Sequence, residues 1–88
     1  MSIVQVENDA SMDLFVTISD LNRSGAPPAP NWNGATLLNN GISQPADLQL
    51  DSSGNYNVNW TSQSLDGQKQ GAGSANNDAG TAIQITVN

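Results

Sequence analysis

Three short stretches hold the residue types that could do chemistry in this chain, and all three rely on amide, hydroxyl and carboxylate groups. Asn31-Trp32-Asn33 sets an indole between two carboxamides, the pairing of stacking platform and hydrogen bonders that sugar sites use. Asn39-Asn40-Gly41-Ile42-Ser43-Gln44 and Asn76-Asn77-Asp78-Ala79-Gly80-Thr81 gather the oxygen ligands that calcium takes, with Asn39, Asn40 and Ser43 as candidate metal ligands in the first. The chain has no His and no Cys, so it has no imidazole base, no thiolate, no disulfide and no zinc site of the usual ligand set. A serine nucleophile would have to be activated by a carboxylate or by Lys69, which lacks a Ser-x-x-Lys spacing. Asp47 and Asp51 could serve as an acid–base pair on a glycoside, but they alternate with Leu48 and Leu50 as the solvated residues of a strand do. Gly71-Ala72-Gly73 lacks the lysine and the helix of a phosphate loop. The inventory predicts a protein that is not an enzyme.

Charge narrows the partners. Eight Asp and Glu residues face only Arg23 and Lys69, a net charge of −6. Nucleic acid is excluded because displacing counterions from phosphates needs several cations, and anionic membrane surfaces are disfavoured for the same reason. No apolar run approaches the ~18 residues of a membrane-spanning helix, so no transmembrane segment is expected. Residues 2–9 turn polar at once and form no signal peptide, which predicts a cytoplasmic protein or one exported without a classical N-terminal mark.

The elements that must position these stretches read as strands. Eighty-eight residues predict a single domain over residues 1–88 that buries roughly 60 to 65 % of its unfolded surface. Val4 and Val6 alternate with Gln5 and Glu7, then Met12, Leu14, Val16 and Ile18 fall on one face. Phe15 is the exception, a large apolar residue on the outer face of that strand. The two segments read as a hairpin or as strands joined over a sheet edge. Leu48 and Leu50, then Tyr56, Val58 and Trp60, then Ile83, Ile85 and Val87 repeat the period of two. Asn40-Gly41 reads as a hairpin turn, since Asn-Gly accepts positive φ at both central positions. Residues 20–34 hold three of the four prolines and form an irregular loop, with Trp32 the one large aromatic outside a clear strand. Residues 67–80 are small and amide-rich and read as a flexible segment, in which only residues 68–71 could pair back on the Tyr56 strand. Six or seven short strands without a substantial helix predict an all-β fold, a small antiparallel β-sandwich.

Two resemblances bear on function. Asn39-Asn40-Gly41-Ile42-Ser43 resembles the calcium-binding signature of βγ-crystallins, with Gln44 in place of its final serine, and that resemblance implies calcium as the one conceivable cofactor. Val4-Gln5-Val6-Glu7-Asn8, Leu14-Phe15-Val16-Thr17-Ile18 and Gly54-Asn55-Tyr56-Asn57-Val58-Asn59-Trp60 resemble the strands of aegerolysin-like and other small bacterial β-sandwich proteins. This second likeness implies a sandwich fold and lipid recognition. Together the residues predict a non-catalytic binding module for a glycan, a lipid or a protein surface, with Asn31, Trp32 and Asn33 as its contact residues. The alternative is a self-assembling structural or surface antigen-type protein that forms homo-oligomers through its sheet edges.

Overall fold

The computed structural model describes residues 2–88. It contains seven strands: β1 (Ser2–Asn8), β2 (Leu14–Asp20), β3 (Ala35–Leu37), β4 (Gln44–Leu48), β5 (Asn55–Ser64), β6 (Gln70–Asp78) and β7 (Ile83–Ile85). They form a three-stranded sheet in the order β4-β1-β7 and a four-stranded sheet in the order β3-β2-β5-β6. The fold is the small all-β sandwich that the alternation predicts. Among the described residues no helix is long and apolar enough to cross a membrane.

Each inward face is the apolar half of an alternating strand. Val4 and Val6 from the smaller sheet meet Leu14, Val16, Ile18 and Val58 from the larger one, all fully shielded from solvent, and Ile83 and Ile85 close the core from β7. Leu50 and Val87, predicted to be inward, are half-buried at the core margin. Leu37, Ala46 and Ala29, which the alternation does not place inward, also lie in the core, and Trp32 folds down onto it from the loop.

Connectivity departs from the sequence reading in three places. β1 and β2 do not form the hairpin that was one of their two expected arrangements; they belong to opposite sheets. The corner between them is held by Asn8, whose Nδ2 donates to the carbonyls of Met12 (2.7 Å) and Leu37 (3.0 Å) while Oδ1 accepts the Ala10 N–H. Asn40-Gly41 likewise carries the chain from β3 in one sheet to β4 in the other and is not a hairpin turn. Finally, the sheets are antiparallel except for β7, which pairs parallel to β1 over Val6–Ile83, Glu7–Gln84 and Asn8–Ile85. Period two reveals which residues share a face but not which strand lies alongside.

The largest correction concerns residues 67–80. Instead of a flexible segment, residues 70–78 form β6, antiparallel to β5 along nine residue pairs from Asn55–Asp78 to Gln63–Gln70. Its inward positions Gly71, Gly73 and Ala75 carry little side chain because the space is taken by others. A Cβ on Gly73 would lie 2.5 Å from Cζ2 of Trp60, and one on Gly71 2.5 Å from the Thr86 carbonyl oxygen. What composition presents as low complexity is a strand shaped to fit under an indole and the segment following β7.

Residues 20–34 are irregular, as expected, yet they are tied down. β3 covers only the first half of β2, through Leu14–Leu37, Phe15–Thr36 and Val16–Ala35. Beyond it the loop takes over: Asp20 N–H donates to Pro27 O, Ala29 N–H to Ile18 O and Ile18 N–H to Trp32 O, at 2.8–2.9 Å. Asn31 turns the chain between these bonds at φ 67°, a conformation Asn tolerates better than most residues.

Candidate functional site

Trp32 lies at the centre of the predicted contact stretch but is not a platform. It is 3 % exposed, and its indole N–H donates to the Pro45 carbonyl at 2.9 Å. The ring therefore bridges the loop to the edge strand of the opposite sheet, with both its apolar faces and its polar atom engaged. Asn31 and Asn33 flank it exposed, without an aromatic surface between them. The aromatic-and-amide surface predicted for Asn31, Trp32 and Asn33 is absent for that reason.

The oxygens of the second stretch have separate duties. Asn40 Oδ1 accepts the Ile42 N–H at 2.9 Å, an Asx turn closing on itself. The Asn39 N–H donates to Asp13 Oδ1, and Ser43 Oγ donates to Gln5 Oε1, each at 2.8 Å. In the third stretch Asp78 Oδ1 accepts the Gly80 N–H at 3.0 Å and the Thr81 hydroxyl at 3.2 Å. Among the described residues no three His, Cys, Asp or Glu side chains gather within reach of one metal ion.

Two polar features escaped the sequence reading. The first is buried. Asp20 ends β2 with its carboxylate shielded from solvent, where it accepts the N–H groups of Asn22 (3.2 Å) and Gln49 (2.9 Å) and pairs with Arg23 Nε at 3.0 Å. Asn22 Nδ2 adds bonds to the carbonyls of Gln49 and Asn55. Arg23 Nη2 stands 3.6 Å from Asp47 Oδ1, which has no hydrogen-bond partner. The cluster joins the four-stranded sheet to the chain leaving β4, and the Asp20 carboxylate and the Asn22 amide are spent on the fold.

The second feature is the outer face of the four-stranded sheet. Register places Thr36, Phe15, Gln63 and Gln70 in one row across all four strands. Thr17, Thr61 and Ala72 form the next row, Ser19, Asn59 and Ser74 the third, and Asn57 with Asn76 the fourth. Neighbouring strands are ~4.8 Å apart and alternate residues along a strand ~7 Å apart, so these side chains form a grid of hydroxyls and carboxamides. None of the four rows contains a charge. Phe15, 40 % exposed, is their one aromatic. A shallow depression of about 530 Å³ opens over Phe15, Thr17, Gly34, Thr61, Gln63 and Ala72.

The acids lie elsewhere. Glu7 and Asp47 occupy the outer face of the smaller sheet, and Asp13, Asp51, Asp66 and Asp78 lie in or beside turns. Asp51 Oδ1 accepts the N–H groups of Ser53 and Asn55. The Ser64 hydroxyl and then the Gln68 N–H, both donating to Asp66, hold that carboxyl below its ordinary value of 3.8. Burial and then the nearby Asp78 carboxylate push the phenol of Tyr56 above its ordinary 10.0. Neither belongs to the four rows. Comparison with family models, with curated proteins and with solved structures finds no match.

Proposed function

We propose that this protein is a non-catalytic binding module that takes a neutral, hydroxyl-rich ligand, a glycan chain, on the outer face of its four-stranded sheet. One observation carries the reading: four consecutive cross-strand rows, hydroxyl and carboxamide side chains apart from Ala72 and the half-exposed aromatic Phe15, hold no charge in a chain of net charge −6. A sugar presents hydroxyls that both donate and accept, and its C–H faces stack on aromatic rings. Asn, Gln, Ser and Thr match the first property and Phe15 the second. A lipid surface fits less well, because the four rows offer a single large apolar side chain, Phe15, and no cation.

The test is titration against neutral and acidic polysaccharides, read by calorimetry and affinity electrophoresis. Binding should favour the neutral polymers and be insensitive to salt, since no ion pair contributes. Phe15→Ala should abolish it with the fold intact. Binding that survives this substitution, or that occurs only with acidic polymers, would overturn the assignment.

A further inference from the structure

The sandwich has several exposed strand edges, and all but one are blunted. β3 and β7 are three residues long. β4 carries Pro45, whose carbonyl is taken by the Trp32 indole, and the part of β2 beyond β3 is covered by the loop bearing Pro27, Pro28 and Pro30. β6 is nine residues long, contains no proline or lysine, and has its only charge at Asp78. Bare edges of this kind template strand addition.

The hydrogen-bond phase identifies the free groups. Ser64 N–H donates to Lys69 O, and Leu21 N–H to Asn57 O on the other side of β5. Bonded pairs alternate along an antiparallel ladder, so Gly71, Gly73, Ala75 and Asn77 bond to β5, while Gln70, Ala72, Ser74 and Asn76 direct their N–H and C=O groups outward. Asn88 N–H caps the outward carbonyl of Gln70 at 3.0 Å. Ala72, Ser74 and Asn76 are left open.

We infer that this edge is a homodimer interface, β6 pairing antiparallel with β6 of a second copy about a twofold axis at Ser74. Antiparallel pairing places Ser74 opposite Ser74 and Ala72 opposite Asn76, which uses every open group on both copies. It also brings the Lys69 end of each copy beside the Asp78 end of the other, whereas a parallel pairing would set like charges together. The strand between is uncharged, so two copies of net charge −6 meet where their repulsion is least. The dimer extends each four-stranded sheet into one of eight strands. It rests on backbone groups and is independent of what the outer face binds.

Sedimentation velocity across a concentration series, with amide hydrogen exchange, tests this on the intact chain. Wild type should pass from monomer to dimer, with the amides of Ala72, Ser74 and Asn76 gaining protection as dimer forms. Ser74→Pro removes the central edge donor, whose N–H the monomer does not use. Ser74→Lys opposes two cations at the axis and keeps the proposal testable if the proline variant fails to fold. Either should raise the dissociation constant by about tenfold or more with unchanged near-ultraviolet dichroism. A wild-type chain that stays monomeric at millimolar concentration would overturn the inference, as would a dimer that persists in folded Ser74→Lys. So would protection of the three amides only when an extended peptide of another sequence is added.

Discussion

The carboxylate of Asp20 and the guanidinium of Arg23 form an ion pair at 3.0 Å in which one side chain is fully shielded and the other is 31 % exposed. The asymmetry determines what each residue contributes. Asp20 has no access to water and depends on Arg23 and on the Asn22 and Gln49 N–H groups for its solvation. Arg23 can turn to solvent.

Removing Asp20 should therefore cost more than removing Arg23. Asp20→Ala strands two backbone donors and unties the loop from the opposite sheet, an expected loss of about 3 kcal/mol. Arg23→Ala leaves the carboxylate its two backbone donors and should cost about 1 kcal/mol. Urea denaturation of the two variants measures both. Equal losses would mean that the ion pair alone, and not the backbone bonds, holds Asp20.

Gly73 lies beneath Trp60, and its hydrogen occupies the space that a Cβ would need 2.5 Å from Cζ2. Gly73→Ala should destabilise by about 1 to 3 kcal/mol through overpacking and should shift the Trp60 fluorescence. Adding Trp60→Leu should recover part of that loss, a coupling that a double-mutant cycle reads directly.

The two aromatics of functional interest separate stability from binding. Trp32→Ala opens the core under the proline loop and should cost about 3 to 5 kcal/mol, while Trp32→Phe, losing chiefly the bond to Pro45, should cost about 1 kcal/mol. Phe15→Ala should cost under about 1 kcal/mol because much of its ring already meets water. Thermal melts together with glycan titrations separate the two roles: Trp32 variants lower Tm, Phe15→Ala removes binding.

Tyr56, the only tyrosine, donates its hydroxyl to the Thr81 carbonyl at 2.9 Å. Its raised pKa means that the folded state retains a proton the unfolded chain would release. Its contribution to stability is complete below the unfolded value near 10 and is lost as pH rises through the higher folded value. Tyrosinate absorbance should thus appear above the pH expected of free tyrosine and together with loss of the fold, and Tyr56→Phe should flatten this alkaline dependence. Ionisation at the free value with the fold intact would contradict it.

Strand faces were legible in the sequence wherever large apolar residues alternated with polar ones, as in Val4-Gln5-Val6 and Tyr56-Asn57-Val58-Asn59-Trp60. β6 was not, because its inward residues are Gly71, Gly73 and Ala75, and a pattern read from side-chain size is silent where the space is filled by Trp60 and Thr86 instead. The face proposed for binding was visible in one residue, Phe15, whose outward position broke the alternation of its strand. Trp32 drew attention as an aromatic in a proline-rich loop, and burial reassigned it. Asp20 was not singled out by pattern, since the partner that ties it across the fold, Gln49, lies 29 residues away in the chain.

The amino-acid sequence by itself determined the all-β class, the residues that turn inward, the absence of histidine and cysteine chemistry and the acidic balance, because each depends on residue type or on spacing between near neighbours. Tertiary structure alone decided which sheet each strand joins, that the indole of Trp32 is buried, that the outer rows share one uncharged face and that the β6 edge is left open. Those properties arise from register between strands far apart in the chain. Register is settled by the packing of the core and not by any single strand.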